Sequence, residues 1–301
     1  MKILVTGANG LLGQALIKEL VQKRYTVVAT GRGPARLIEA ALNNFDYKEL
    51  DITDGPAVEK FLLQEKPSLI VHAAAMTQVD QCELNKQDCY NVNVTATRFL
   101  LDSAKLIKAR FVFVSTDFIF DGTAGPYKET DDPAPVNYYG STKLVAEKAV
   151  MESGLHWAIA RTILVYGNAP STGRTNIISW VKQSLENGTP IRMVSDQFRT
   201  PTFLSDLVAG IILIIEKNAE GIYHLSGDEL MTPYQIAIET ARFFGLDEKL
   251  ISESYSAEIK QPAVRPSRTG FDISKAKRDL CYKPTPFQEG LRKVFAGTSG
   301  I

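Results

Sequence analysis

A tyrosine and a lysine four residues apart, Tyr139 and Lys143, carry the strongest chemical signal in the sequence. In a helix, residues at this spacing share one face, so both side chains reach a single site. A neighbouring ammonium lowers the pKa of a tyrosine hydroxyl from its ordinary value of about 10, and the pair then serves as an acid and base at neutral pH. Upstream, Thr116 closes a predicted strand, where its hydroxyl is placed to hydrogen-bond a substrate carbonyl.

A second chemical signal is a turn with three regularly spaced glycines, Gly7, Gly10 and Gly13. An apolar strand precedes the turn, and apolar residues at helical period follow it. Glycine lets a backbone approach a ligand closely, and the start of the helix attracts a pyrophosphate. The spacing differs from Gly-x-Gly-x-x-Gly, and no Gly-Lys-Ser/Thr follows, so the turn is not a P-loop. We interpret it as a cofactor turn rather than as a tight turn without a ligand.

Strand and helix patterns alternate around these residues and predict the elements that position them. The predicted strands are 2–5, 25–30, 45–50, 68–72, 110–115 and 157–161, and the intervening predicted helices are 11–20, 54–65, 85–107 and 137–151. This order predicts an α/β fold, a Rossmann-type doubly wound parallel sheet. Ligands of such sheets bind at the carboxyl ends of the strands, where small or polar residues follow each strand here.

The second half of the chain is less regular and predicts a smaller C-terminal α/β substrate-binding region. We expect a cofactor-binding domain over residues 1–165 and a mainly substrate-binding domain over 166–301, with a segment near 200–217 returning to the first domain. A loop rich in glycine, proline and small polar residues is predicted over 168–175.

Composition limits the partners. The chain has 301 residues and a formal net charge of zero, which argues against binding to nucleic acid or an anionic membrane. Its 3 cysteines form no Cys-x-x-Cys pair, so we expect neither a metal site nor a disulfide framework. The first predicted strand begins at residue 2, leaving no room for a signal peptide, and we expect a cytoplasmic protein.

Several blocks in order along the chain resemble one known family. The general blocks are Thr6-Gly-x-x-Gly-x-x-Gly, the alanine run 73–75, Asn93, Thr116 and Tyr139-x-x-x-Lys143. The more specific blocks are STDFIFDG at 115–122, YKETD at 127–131, PVNYYGSTKLVAE at 135–147, RTILVYG at 161–167, DQFRTPT at 196–202 and RP at 265–266. The chain thus resembles the extended short-chain dehydrogenase/reductases, and within them the dTDP-4-dehydrorhamnose reductases, which reduce a 4-keto sugar nucleotide.

The resemblance implies a role for each matching residue. Tyr139 would donate a proton to the reduced carbonyl, Lys143 would lower its pKa and bind the nicotinamide ribose, and Thr116 would orient the keto oxygen. The remaining cofactor contacts would come from Gly7, Asn9, Gly10, Leu11, Leu12, Gly13, Asp51, Ile52, Ala73, Ala74 and Ala75. The substrate contacts would come from Thr77, Asp117, Phe118, Arg161, Asp196, Gln197, Thr202 and Arg265. Arg265 suits a diphosphate because a guanidinium binds phosphate in a fork.

The residue after the second strand predicts which cofactor is bound. Enzymes that use NAD place an acidic residue there to bind the ribose 2′-hydroxyl. This chain has Thr30-Gly31-Arg32 instead, so a cation is present and the acid is absent. We therefore predict NADP, with NADPH preferred over NADH.

Two departures from the family pattern leave the substrate open. Phe198 and Arg199 replace the family's usual glycine after Asp-Gln-x, and Arg268-Thr269 replaces an Asn-Ser pair. Both lie where the sugar nucleotide would bind. We favour a reductase whose substrate is dTDP-4-dehydro-L-rhamnose. The alternatives are another sugar-nucleotide ketoreductase or epimerase, and a non-catalytic regulatory subunit that binds NADP. The intact Thr116, Tyr139 and Lys143 argue against the subunit, and a homodimer is a further expectation.

Overall fold

The computed structural model describes residues 1–36, 45–167 and 176–295, and the loop predicted over 168–175 lies outside them. Within the described residues the strands are β1 (Lys2–Thr6), β2 (Thr26–Gly31), β3 (Phe45–Glu49), β4 (Leu69–His72), β5 (Arg110–Thr116), β6 (Trp157–Thr162), β7 (Val165–Tyr166), β8 (Ile191–Val194), β9 (Thr202–Phe203), β10 (Gly221–His224) and β11 (Ile251–Ser254). The α-helices are α1 (Leu11–Gln22), α2 (Gly55–Glu65), α3 (Val79–Leu84), α4 (Lys86–Tyr90), α5 (Ala96–Ile107), α6 (Tyr138–Met151), α7 (Ile177–Glu186), α8 (Leu204–Glu216), α9 (Pro233–Phe244) and α10 (Phe287–Phe295).

A seven-stranded sheet in the order β10-β6-β5-β4-β1-β2-β3 forms the centre of the molecule. Every pair of neighbours in it is parallel, which confirms the predicted doubly wound α/β fold. The order turns at β1 and β4, the point where open sheets of this kind bind ligands. The turn after β1 therefore lies at the centre of that edge.

Alternating side chains of the central strands build a core on each face of the sheet. Ile3 and Val5 pack on the side of α1 and α8, whereas Leu4 packs on the side of α2 and α5. Strands buried on both faces need apolar residues at successive positions, which is why β1 reads as a continuous apolar run. The two layers of helices fix the carboxyl edge of the sheet from both sides.

The C-terminal region adds its own small layer. Strands β8 and β11 pair in parallel, and α7 and α9 pack against them around a separate apolar cluster. Helix α8 packs against α1, and β10 pairs with β6 as the last strand of the large sheet. The chain thus returns to the large sheet after residue 200, while the boundary predicted at 165 stays a prediction.

Candidate active site

The glycine turn after β1 is closed so tightly that it has no room for side chains. Gly7 has a φ of 73°, and a Cβ on it would lie 2.8 Å from the backbone nitrogen of Ala74. A Cβ on Gly13 would lie 2.2 Å from the carbonyl oxygen of Gly7. Gly10 ends the turn, and its N–H donates to that same carbonyl oxygen at 2.9 Å. Glycine at 7 and 13 is therefore a requirement of the backbone path.

The start of α1 fits the pyrophosphate of a dinucleotide. Gly10 occupies the N-cap, where it provides no side chain to the first amides, and the first turn of the helix contains no acidic residue. The backbone N–H groups of Leu11, Leu12 and Gly13 form this first turn and carry the positive end of the helix dipole. An anion at this position receives both donors and favourable charge.

Asn9 joins the glycine turn to the segment that follows β2. Its Nδ2 donates to the carbonyl oxygen of Arg32 at 3.3 Å and to the hydroxyl of Tyr47 at 3.0 Å, and its Oδ1 accepts from the N–H of Arg36 at 2.9 Å. Arg32 follows β2 directly and contributes to lowering the pKa of Asp51, together with hydrogen bonds from Thr53. Arg32 thus lies directly after β2, the position where the sequence predicts a contact with a ribose 2′-phosphate.

The other predicted cofactor residues follow neighbouring strands at the same edge. Asp51 and Ile52 come two residues after β3, and Ile52 is buried. The alanine run 73–75 follows β4 directly, and Thr77 lies exposed between this run and α3. Because all these strands are parallel and point the same way, the structure brings these residues to the edge that carries the glycine turn.

Helix α6 positions Tyr139 and Lys143. Asn137 caps its start, and the Oδ1 of Asn137 accepts from the N–H of Gly140 at 2.8 Å. A Cβ on Gly140 would lie 1.9 Å from the carbonyl oxygen of Phe118, so glycine allows the helix to approach the segment after β5. This contact sets Tyr139 beside Phe118, with ring centroids 6.1 Å apart in a T-shaped pair.

Burial dominates the electrostatics of the pair. The Lys143 ammonium donates to the carbonyl oxygen of Val114 at 2.8 Å and lies 3.9 Å from the ring centroid of Phe113. Burial lowers the pKa of Lys143 to about 7, against a smaller opposing effect of Glu147. Burial also raises the pKa of Tyr139, and a hydrogen bond with Thr116 opposes that rise. The expected lowering of the tyrosine pKa by Lys143 is therefore not found in the protein alone, where the lysine faces Val114.

Thr116 ends β5 and connects to a buried cluster that the sequence did not predict. Its hydroxyl donates to Oδ1 of Asp117 at 3.1 Å. The other carboxylate oxygen of Asp117 accepts from the hydroxyl of Thr269 and lies 3.7 Å from Nε of Arg199. Burial raises the pKa of the Asp117 carboxyl, and Arg199, Thr269 and Thr116 each oppose the rise. Two of the residues that depart from the family pattern thus meet on one carboxylate oxygen.

Arg199 also binds the backbone of the C-terminal segment. Its guanidinium donates to the carbonyl oxygens of Phe198 at 2.8 Å, Ser267 at 3.2 Å and Pro266 at 2.6 Å. It lies 5.7 Å from the ring centroid of Phe118, which packs on Tyr139. Arg199 therefore holds residues 266 and 267 against the segment that carries Thr116.

A break in the predicted helix 85–107 directs Asn93 into the site. A π-helical segment, Asn91–Thr95, separates α4 from α5. The Oδ1 of Asn93 accepts from the N–H of Met76 at 2.8 Å, and its Nδ2 donates to the carbonyl oxygen of Met76 and to the hydroxyl of Thr142. Segments of this kind occur at functional sites because the extra residue re-aims a side chain. Asn93 thus links the loop after β4 to Thr142 of α6, the residue directly before Lys143.

The structure divides the predicted substrate residues into three groups. Asp117, Phe118 and Thr77 follow strands at the carboxyl edge of the sheet, and Phe118 packs on Tyr139. Arg161 lies in the interior, where its guanidinium binds the buried carboxylate of Glu147 at 2.7 Å. Because the guanidinium is buried and already paired, it is not available to a substrate. Thr202 is fully buried and donates to the carbonyl oxygen of Ile163 at 2.6 Å, so its hydroxyl is likewise not available to a substrate.

The other predicted substrate residues contact neighbouring protein groups. Asp196 accepts from the hydroxyl of Ser256 at 2.7 Å, and Gln197 donates to the same hydroxyl at 3.0 Å. Arg265 forms a two-pronged ion pair with Asp80 of α3, with 2.8 Å between Nη2 and Oδ2. Asp80 was not predicted, since a single acidic residue on a short helix gives no sequence signal.

In residues 1–36, 45–167 and 176–295, no group of three or more histidine, cysteine, aspartate or glutamate side chains is arranged to hold a metal ion. In those same ranges no helix combines the length and the apolar character needed to cross a bilayer.

The fold and the site together define a Rossmann-type oxidoreductase with a threonine, tyrosine and lysine set at the carboxyl edge of its sheet. The chain belongs to the RmlD substrate binding domain family, whose model matches residues 1–299. The predicted resemblance, fold class and enzyme class are thereby confirmed.

Individual relatives cover nearly the whole chain. "Probable low-salt glycan biosynthesis reductase Agl14" of Haloferax volcanii is 32% identical over 95% of this chain and 94% of its own. Methionine adenosyltransferase 2 subunit beta of Mus musculus is 31% identical over 97% of this chain and 86% of its own. A crystal structure of dTDP-4-dehydrorhamnose reductase from Bacillus anthracis in complex with NADP is 28% identical, with a TM-score of 0.86 over 98% of this chain and 99% of that one. The presence of NADP in that relative agrees with the cofactor predicted from Arg32.

Proposed function

We propose that this protein reduces the 4-keto group of a nucleotide-sugar with NADPH, and that the substrate is dTDP-4-dehydro-L-rhamnose. The observation that carries the proposal is that Thr116, Tyr139 and Lys143 lie at the carboxyl edge of the sheet, the same edge that carries the glycine turn after β1. The solved dTDP-4-dehydrorhamnose reductase from Bacillus anthracis supports the choice of substrate.

Each residue of the set has a separate task in this reaction. When bound, the cofactor supplies the hydride from its nicotinamide ring. Tyr139 donates its hydroxyl proton to the developing alkoxide; burial raises the pKa of this hydroxyl in the protein alone, so efficient transfer requires the Lys143 ammonium to lower that pKa in the complex with cofactor. Thr116 orients the keto oxygen toward that hydroxyl. Lys143 has a pKa of about 7 and lies one turn further along α6, so it exchanges protons at neutral pH and can renew the tyrosine proton.

We propose that NADPH is preferred over NADH. Arg32 follows β2 without an acidic residue before it, and Asn9 ties the backbone of this segment to the glycine turn. A guanidinium binds a 2′-phosphate in a fork, whereas an acid at this position would repel it. Asn9 therefore keeps the 2′-phosphate site and the pyrophosphate site in register.

A second candidate function is that of a non-catalytic subunit. The observation that favours it is the 31% identity with methionine adenosyltransferase 2 subunit beta, over 97% of this chain. We rank it second because the acid and base residues Tyr139 and Lys143 are both present and share one buried site. The proposed homodimer and the cytoplasmic location stay predictions.

A panel of substrates tests the proposal. The protein is mixed with NADPH and, separately, dTDP-4-dehydro-L-rhamnose, the corresponding UDP-linked 4-keto sugar and a 4-keto sugar without a nucleotide. We expect oxidation of NADPH with the dTDP compound and none without a nucleotide. If only the UDP compound is turned over, the substrate is the UDP-linked sugar rather than the dTDP-linked one. Tight NADPH binding without turnover of any compound would favour the function of a non-catalytic subunit.

A further inference from the structure

The ion pair between Asp80 and Arg265 joins two regions that are distant in sequence. Asp80 lies on α3, directly after the segment that carries the alanine run and Thr77, and Arg265 lies 185 residues further along the chain. The carboxylate of Asp80 also accepts from the N–H of Ala263 at 3.2 Å. One side chain of α3 thus anchors both the backbone and the guanidinium of this segment.

Residues 263–266, which we name the strap, are held at three points around the site. Asp80 binds Ala263 and Arg265, and the Nδ2 of Asn137 donates to the carbonyl oxygen of Val264 at 2.9 Å. The guanidinium of Arg199 donates to the carbonyl oxygen of Pro266. Asn137 caps α6 two residues before Tyr139. The strap therefore crosses from α3 to the start of the catalytic helix.

Exposure distinguishes this ion pair from the other two arginine–carboxylate pairs near the site. The side chains of Arg161 and Glu147 are 3% and 0% exposed, and those of Arg199 and Asp117 are 6% and 5% exposed. By contrast, the side chain of Arg265 is 16% exposed and that of Asp80 is 35% exposed. The pair of Asp80 and Arg265 is therefore partly exposed to solvent, whereas the other two pairs are buried.

A phosphate can take the place of the Asp80 carboxylate on Arg265. Carboxylate and phosphate oxygens bind the planar guanidinium fork in the same two-pronged way. A nucleoside diphosphate carries more negative charge than the single carboxylate of Asp80, which favours its binding to Arg265. The displaced carboxylate of Asp80 repels the diphosphate and opposes this binding.

We propose that Asp80 limits the affinity of the substrate site, because it occupies Arg265 in the free protein and is displaced by the diphosphate of the substrate. This inference rests on the proposed function for the identity of the ligand. Asp80 then lowers the affinity for nucleoside diphosphates in general, so that a ligand must compensate for the lost pair through its other contacts. The hydrogen bond from the N–H of Ala263 then remains as the contact between Asp80 and the strap.

Calorimetric titration of the full chain with dTDP and with UDP tests this inference. We expect Asp80→Asn to bind one or both about three- to tenfold more tightly, since it removes the competing pair and its charge. Arg265→Gln should weaken binding about tenfold or more, and Asp80→Asn should add nothing in the Arg265→Gln background. Asp88→Asn, which removes the same charge from an exposed position on α4, should change the affinity less than about twofold.

Three results would overturn the inference: weaker or unchanged binding in Asp80→Asn, a gain that persists without Arg265, or no binding of either nucleoside diphosphate by the wild type and Asp80→Asn. Asp80→Ser repeats the test with a side chain that keeps an acceptor for Ala263, and NADPH binding verifies that each variant is folded. The proposed function fails separately. A protein that shows the expected gain but oxidises no NADPH with a 4-keto sugar nucleotide would refute the function and retain the role of Asp80.

Discussion

The buried contact between Arg199 and Asp117 gives the sharpest stability prediction. The change is Arg199→Met, which keeps most of the side-chain volume and removes the charge. It leaves the Asp117 carboxylate, only 5% exposed, with hydroxyl donors alone. Removing one partner of a buried ion pair costs about 3–5 kcal/mol, because the other charge is left in the interior. We expect a loss of unfolding free energy of that size.

A second substitution, at Asp117, separates the electrostatic attraction between Arg199 and Asp117 from the other contributions to the unfolding free energy. Nε of Arg199 lies 3.7 Å from Oδ2 of Asp117, and at an effective dielectric constant of about 20 two charges at that separation attract by about 4 kcal/mol. Asp117→Asn removes the charge that Arg199 balances. The double variant should therefore lose less than the sum of the two single losses, by about 2–4 kcal/mol.

Urea unfolding followed by fluorescence of the 2 tryptophans measures all four proteins of this cycle. Arg268→Met is the control, since Arg268 lies in the segment that Arg199 binds, is exposed and donates to the carbonyl oxygen of Gly125 rather than to a carboxylate. It should cost less than about 1 kcal/mol. Losses for Arg199 and Asp117 that add within about 0.5 kcal/mol would refute the assigned pairing.

Three further predictions concern the cofactor site and the buried lysine. Arg32→Glu should lower kcat/KM with NADPH by about tenfold or more and affect NADH much less, and a wild type that prefers NADH would contradict the role of Arg32. Gly13→Ala should abolish NADPH binding in a fluorescence titration, because its Cβ would lie 2.2 Å from the carbonyl oxygen of Gly7, whereas Gly154→Ala, which has open space at its Cβ, should retain it. The pKa of Lys143 falls from 10.5 to about 7 on folding, so the unfolded chain binds more protons between these values. The unfolding free energy of the wild type should therefore rise with pH through this window relative to that of Lys143→Met, and parallel pH curves would contradict the buried lysine.

Local patterns in the sequence predicted the parts of the fold that depend on neighbouring residues. The continuous apolar run of β1, the three glycines and the helical spacing of Tyr139 and Lys143 each follow from a few adjacent positions. The structure shows the physical reasons, since Gly7 and Gly13 leave no space for a Cβ. Short elements such as α3 and β11 carry too few residues to show a period, and the sequence did not predict them.

Contacts between distant residues could not be predicted in this way. Arg161 and Arg265 have the chemistry of phosphate ligands, yet one is buried against Glu147 and the other binds Asp80. The departures at 199 and 269 were visible in the sequence, but their meeting on Asp117 depends on the folded chain. The apolar run from residue 221 predicts a strand over 221–226, and the structure has β10 over Gly221–His224, but its place beside β6 depends on the path of the chain after residue 200.

The central claim is that Tyr139 donates the proton in the NADPH-dependent reduction of a 4-keto sugar nucleotide. The most direct test follows the loss of NADPH absorbance with dTDP-4-dehydro-L-rhamnose in the wild type and in Tyr139→Phe, after calorimetry has verified that both bind NADPH. Removing a general acid typically costs a factor of about 10²–10⁴ in kcat. We predict turnover by the wild type and a loss of that size in Tyr139→Phe with NADPH binding retained. Undiminished turnover in Tyr139→Phe would contradict the account.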